Sequence, residues 1–525
     1  MKHLFMFFMA VAMLASCTSD DDYSETIDNV VGNKENVKVN FRVQPFNFGD
    51  GDTRTSVSFD DGEYCSAWTS SDSIGVYDLS LGWKSQFASP LSMEDYDQND
   101  AVDDGPFEFS SDEFINGHEY VAYSPYMKTP NPGWRIEEYA NYIPVNFNRT
   151  QTKNNNYSHV NESDYLVARA KYNGSELNFE FKHLISVVKF NLTMPCKKKW
   201  TKFIVSKEKG LYDREIFPGN SYYDVASEKL ISLAKVRDVR LELKGFNALN
   251  KLNLYLPLWP IKTGEVVLTV IAEDGDCYRY TYKNGITVGA GEFITCSVDK
   301  NKWIKVGGKK DGGAFVDLDL PSKTKWAVTN VAASGVDVYG LNYEGCPSSY
   351  YAWGDPGREH GLSYQEYNWG RSVTSYYYDF EKKSLKPGVA YNLGGFGREW
   401  RMPTKEEFEE LIENCDVSYD FLTSVPYYGR VYGLRIANKN QPERSIFLPA
   451  SGFMTSDGRN KTEYYGRFCY YWTATAGNPM GGDNNESDYN TDEAYAFCVN
   501  SHTGEYEVVE MPRYYGMSIR PVMHE

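Results

Sequence analysis

Val37-Lys38-Val39-Asn40-Phe41-Arg42-Val43 alternates apolar and polar side chains, which is the period of a strand with one face buried. The same signal returns in Ser73-Ile74-Gly75-Val76-Tyr77, in Ser186-Val187-Val188-Lys189-Phe190-Asn191-Leu192, and over residues 251–256 and 265–272. Turn residues punctuate the chain after the last of these runs, in Glu273-Asp274-Gly275-Asp276 and Lys283-Asn284-Gly285. Asn-Gly supplies the positive φ that a tight hairpin turn requires. No long run of period 3.6 interrupts this pattern before about residue 305, so one or two antiparallel β-sandwiches are expected there.

Composition sets outer limits. A chain of 525 residues has room for two to four domains at about 100–200 residues each. With 42 Tyr, 28 Phe and 11 Trp, it favours strands and adhesive surfaces. A net charge of -18 would repel nucleic acid and an anionic membrane face, and argues against both as partners. Apart from Cys17, the cysteines are Cys65, Cys196, Cys277, Cys296, Cys346, Cys415, Cys469 and Cys498, and none forms a CxxC pair of the kind zinc uses. Disulfides between Cys277 and Cys296 or between Cys469 and Cys498 stay open, as do buried free thiols. The seven histidines are scattered without an HExxH pairing, and no Gly-rich loop joins a strand to a helix. Hydrolase, metalloenzyme and nucleotide-binding chemistry therefore lack support.

The chain starts with Lys2, an apolar run over residues 4–15, and Leu14-Ala15-Ser16-Cys17. The run is too short to span a bilayer and ends in small residues, the arrangement of a cleaved export signal. It resembles a bacterial lipoprotein signal over residues 1–17 with Cys17 acylated, palmitate included; an ordinary secretory signal is the alternative. Ser19, Asp20, Asp21 and Asp22 come directly after it and resemble the surface-export signal of Bacteroidetes lipoproteins. Residues 18–37, polar and acidic, read as a flexible tether. The expected location is the outer membrane, held by lipid and facing outward.

Four stretches carry a second resemblance: Asp52-Thr53-Arg54-Thr55, Trp68-Thr69-Ser70-Ser71-Asp72-Ser73-Ile74-Gly75-Val76-Tyr77, Asp164-Tyr165-Leu166-Val167-Ala168, and Leu177-Asn178-Phe179-Glu180-Phe181-Lys182-His183-Leu184-Ile185-Ser186-Val187-Val188-Lys189-Phe190. Together they resemble the fimbrillin-like proteins of Bacteroidetes. The resemblance implies two tandem transthyretin-like β-sandwiches, over residues 38–175 and 176–304, with roles in adhesion or pilus assembly. It also implies proteolytic processing after an arginine in an early strand. Arg54 is the candidate, Arg42 a rival, and permanent anchoring the simpler account. Trp68, Ile74 and Val76 would be core, and His183 a hydrogen-bonded core or rim residue.

Val306-Gly307-Gly308-Lys309-Lys310-Asp311-Gly312-Gly313 reads as a linker over residues 305–313, since glycines separated by charges offer nothing to pack. Beyond it one helix is clear. Thr404 is placed to cap it, Glu407 to reach back, and Phe408, Leu411 and Ile412 share a face. Tyr350-Tyr351-Ala352-Trp353-Gly354-Asp355, Trp400-Arg401-Met402-Pro403-Thr404, Tyr471-Trp472-Thr473-Ala474-Thr475 and Gly516-Met517-Ser518-Ile519-Arg520-Pro521-Val522 are among the motifs that resemble the Fibrobacter succinogenes major paralogous domain. This resemblance implies that residues 314–525 form an α+β C-type-lectin-like module, a fold shared with formylglycine-generating enzymes. The whole is then mainly β, two sandwiches followed by the lectin-like module.

Candidate sites emerge from residue chemistry. Tyr376, Tyr377, Tyr427, Tyr428, Tyr464 and Tyr465 fall in motif-poor segments and are the candidates for ligand stacking. Trp326, Trp353, Trp400 and Trp472 belong to motifs and are expected in the core, and Arg401 and Arg520 are expected to pin loops through backbone carbonyls. Asp483, Asp488 and Asp492 lie in an acidic loop that reads as solvated, with calcium as the alternative. Calcium apart, no cofactor is expected. Cys469 and Cys498 lack a basic neighbour that would lower a thiol pKa, so no enzyme activity is expected. The reading is a surface lipoprotein adhesin, a fimbrial tip or accessory subunit that binds glycan or protein through its C-terminal module and partners pilus subunits. A glycan-capturing lipoprotein for nutrient uptake is the alternative, and a formylglycine-generating-enzyme-like oxidase a remote third.

Overall fold

The computed structural model describes residues 38–43, 73–81, 87–90, 114–125, 142–208, 217–219, 221–225, 227–232, 235–331, 350–354, 378–379, 384–385, 396–425, 429–455, 462–477 and 493–524. The chain is mainly β, as expected. Its first sheet has six strands in the order Lys38–Val43, Glu176–His183, Leu166–Lys171, Glu119–Ser124, Ser73–Asp78, Phe87–Pro90. In Glu176–His183 the period of two is complete: Leu177, Phe179, Phe181 and His183 are buried, and the residues between them are exposed. Lys38–Val43 runs parallel to this strand with Val39 opposite Leu177 and Phe41 opposite Phe179. The first sheet therefore reaches past the division expected at Ser175.

Ser186–Lys198 begins a second sandwich. It pairs with Leu249–Leu258 on one side and, in parallel, with Phe293–Val298 on the other. Val188, Phe190 and Leu192 point into a core that also takes Phe203 and Val205 from the facing sheet. The hairpin of Val266–Ala272 and Cys277–Tyr282 closes through Gly275, whose φ is +88. That conformation is free of steric cost only for glycine.

The facing sheet does not stop with this sandwich. Its nine strands run Val522–Met523, Lys325–Ala327, Gly313–Asp317, Ile304–Lys310, Cys277–Tyr282, Val266–Ala272, Trp200–Ser206, Asp238–Leu243, Thr150–Gln151. The stretch expected as a Gly-rich linker is thus a β-hairpin in mid-sheet. Gly307 pairs with Val316, Gly308 with Phe315 and Lys310 with Gly313, and Asp311 and Gly312 make the turn at φ 44 and 81. The glycines serve close approach here, not freedom. A Cβ on Gly313 would lie 2.6 Å from the Trp400 ring and 2.7 Å from that of Phe396. An aromatic layer replaces the missing side chains, a use of glycine that composition alone does not distinguish from a linker.

Residues on the outer face of this sheet, Ile204, Ile271, Cys277 and Val306, join one core with Trp326, Phe408 and Leu434 of the C-terminal part. The helix Lys405–Asn414 lies on that core. Thr404 Oγ1 accepts from Glu407 N, Glu407 Oε2 accepts from Thr404 N, and Phe408, Leu411 and Ile412 are buried, as the sequence led us to expect. Around the helix stand a three-stranded sheet, Cys415–Val425, Gly429–Asn438, Ser445–Pro449, and a five-stranded one that contains Phe468–Ala476, Glu493–Asn500 and Tyr506–Pro512. Trp326, Trp353, Trp400 and Trp472 are all fully buried. Arg520 donates to the carbonyls of Ala327, Val328 and Phe447, which pins three segments at once. Arg401 makes one such bond, to Met402, but its main partner is the Glu407 carboxylate, held by two bonds of 2.6 Å.

Candidate functional site

Strand alternation builds an aromatic ledge at the C-terminal part. In Phe468–Ala476, Cys469 and Tyr471 enter the core under the helix, so Phe468 and Tyr470 fall on the opposite face and stay partly exposed. The chain before this strand turns through Tyr464, at φ 58, and Gly466, at φ 76, with Arg467 N and Phe468 N both donating to Tyr464 O. Gly452 lets the neighbouring backbone come close, since a Cβ there would lie 2.0 Å from Glu463 O. The turn sets the Tyr464 ring 5.4 Å from Phe468 and 5.8 Å from Phe453, and Phe453 stacks on Tyr515 at 5.3 Å.

Tyr464, packed on this stack, and its neighbour Tyr465 remain 50% and 43% exposed. Among the described residues, the other exposed large apolar side chains, Leu81, Ile115 and Tyr506, stand singly in the sequence. Aromatic rings fixed by neighbours present apolar area at low entropic cost, and their hydroxyls accept and donate hydrogen bonds, so the ledge suits stacking of a sugar or a protein side chain. Arg467, exposed in the same turn, adds a charge beside it. Sequence reasoning selected the two tyrosines but missed Phe453 and Tyr515. The strand period around Cys469 would have flagged Phe468 and Tyr470.

The other expected site residues, Cys17, Ser19, Asp20, Asp21, Asp22, Arg54, Tyr376, Tyr377, Tyr427, Tyr428, Asp483, Asp488 and Asp492, lie outside the described residues. Among the described residues no group of three or more His, Cys, Asp or Glu is placed to hold a metal ion, and no helix is long and apolar enough to cross a membrane. Cys277, Cys296, Cys469 and Cys498 are free thiols. Burial pushes the Cys469 and Cys498 thiols up, away from the thiolate that redox or nucleophilic chemistry uses. His183 is buried with Nδ1 2.9 Å from Asp164 Oδ1, the hydrogen-bonded core role expected of it.

A second cluster ties the C-terminal part to the sandwich below it. Glu208 Oε2 accepts from Arg435 at 3.1 Å, Glu208 Oε1 lies 3.6 Å from Arg279, and Arg237 lies 3.6 Å from Asp420. Burial acts to raise the Glu208 pKa, but Arg279, Arg435 and Arg237 outweigh it and hold the group at about 2. Thr281 donates to Glu443 at 2.6 Å across the same seam. The cluster is buried and its three guanidiniums are each set against Glu208 or Asp420, so its evident role is to join the two parts.

Comparison with known proteins bears on the N-terminal half. Residues 53–311 match the family described as fimbrillin-like. No curated protein matches the chain. Among solved structures, a candidate cell adhesion protein from Bacteroides ovatus is 16% identical, with 52% of this chain and 96% of that one covered and a TM-score of 0.31. A fimbrial protein from Bacteroides ovatus is 11% identical, covering 94% of this chain and 100% of that one at a TM-score of 0.22. The fimbrial anchor protein of Porphyromonas gingivalis is 8% identical, covering 53% and 97% at 0.24. The match to the fimbrillin-like family spans residues 53–311, and the nine-stranded sheet of that region continues into the C-terminal part.

Proposed function

We propose that this protein is a cell-surface adhesin of the fimbrial kind, anchored to the outer membrane through acylated Cys17, which binds glycan or protein through its C-terminal part. The fimbrillin-like match supports the adhesive or fimbrial role, and the lipoprotein-like first residues support the anchor. The observation that carries the binding role is the exposed pair Tyr464 and Tyr465, the first of them packed on Phe453, which in turn stacks on Tyr515. The motifs of the C-terminal part resemble those of a lectin-like module, which supports binding through that part, as a tip or accessory subunit would need.

The ledge is tested by presenting the full chain to a glycan array and to host-cell proteins, with and without the double substitution Tyr464→Ser and Tyr465→Ser. Binding should fall by roughly tenfold or more, as expected when anchoring aromatics are lost, while the melting temperature stays near that of the unaltered chain. Unchanged binding would place the ligand elsewhere. The anchor is tested by N-terminal sequencing and mass analysis of protein recovered from the cell surface. An acylated Cys17 throughout identifies a fixed receptor, a new N-terminus at Thr55 identifies a processed pilus subunit, and an unmodified N-terminus contradicts the lipid anchor.

A further inference from the structure

A cavity of about 300 Å³ opens between residues 145–149, 218–219 and 236–240. Its wall is apolar at Val145, Phe147, Pro218, Val236 and Val239, and Arg149, Asp238 and Arg240 bring charge to it. Arg149 enters from the segment between the strands Tyr142–Val145 and Thr150–Gln151, with its guanidinium 5.0 Å above the Phe147 ring. Arg240 and Asp238 enter from the strand Asp238–Leu243 and are joined by a bond of 2.6 Å. Two guanidiniums thus meet one carboxylate, and that carboxylate is engaged by Arg240. The Arg149 Nε is buried with no hydrogen-bond acceptor. Burial lowers the Arg149 pKa to about 10, partly offset by the charge of Asp238, so the group keeps its charge at neutral pH.

The Arg149 guanidinium is partly buried, and among the described residues no carboxylate is hydrogen-bonded to it, so an incoming anion would supply the missing acceptor. We infer that this cavity is a binding site for the carboxylate of an acidic sugar, with Arg149 as the recognising group. A guanidinium offers parallel N–H donors that match a carboxylate in geometry as well as charge. The cavity stands at the small end of ligand sites, about 300–1,000 Å³, which suits one sugar residue with the rest of its chain left outside. The apolar wall would take the faces of the ring. This site is separate from the Tyr464 ledge and does not depend on it.

The test is isothermal titration of the full chain with methyl glucuronide and, as the neutral partner, methyl glucoside. The glucuronide should bind saturably and at least roughly tenfold more tightly than the glucoside, the scale of a charge-assisted bidentate contact. Arg149→Gln should abolish that preference, whereas Tyr464→Ser with Tyr465→Ser should leave it unchanged, which separates this site from the ledge. Equal binding of the two sugars, no binding of either, or a preference that survives in the folded Arg149→Gln variant would overturn the inference. Tighter binding of N-acetylglycine, which mimics a peptide C-terminus, would overturn the assignment to sugar. Should Arg149→Gln fail to fold, the two sugars on the unaltered chain still decide the matter.

Discussion

Glu208 shows how one residue can hold two parts of a chain in register. Its carboxylate faces three arginines, of which Arg237 and Arg279 come from the second sandwich and Arg435 from the C-terminal part. Removing one member of a buried ion cluster leaves the others uncompensated and costs about 3 kcal/mol or more. Glu208→Gln should therefore lower the unfolding free energy by about that margin, read as a lower denaturant midpoint at unchanged slope. Its pH signature comes from the depressed pKa, about 2 when folded against an ordinary 4.5. The contribution is complete above 4.5 and lost as pH falls from there towards 2. Over that window the unaltered chain should lose stability more steeply than Glu208→Gln, and parallel curves would show that the cluster does not carry the linkage. None of this was legible in the sequence, where Glu208, Arg279 and Arg435 are separated by long spans of chain. The two tyrosines at 464 and 465 were legible, because adjacent aromatics outside a motif leave few structural duties to assign.

At the scale of elements, local signals read well and long-range ones did not. The capping box at Thr404 and Glu407, the alternation at Glu176–His183 and the turn at Gly275 are each written in a few consecutive residues, and each forms as the pattern requires. The hairpin over residues 304–317 misled because Gly313 is explained by rings more than eighty positions away, Phe396 and Trp400. Gly313→Val is the discriminating substitution. In a linker it would be tolerated or mildly stabilising. In the hairpin it drives a side chain into the Trp400 and Phe396 rings, an overpacking that costs about 1–3 kcal/mol. A clear fall in melting temperature is expected, and no change would return the stretch to the role of a linker.

At the scale of the whole molecule, the sheet that begins in the sandwich and ends at Val522–Met523 makes the C-terminal part a continuation of the body, not a tethered head. The C-terminal part is held to residues 53–311 by paired strands and by the core around Ile204, Ile271 and Val306. The amino-acid sequence indicated β-sandwiches and a different texture after them, but not this fusion, since strand pairing across the join is a tertiary fact that no local period encodes. Amide hydrogen exchange on the full chain tests the claim most directly. Amides of residues 304–317 that are bonded in the sheet should be protected to the same degree as those of Val266–Ala272, as expected of one cooperative unit. Exchange of residues 304–313 at the rate of an unstructured chain, beside protected strands on either side, would contradict it.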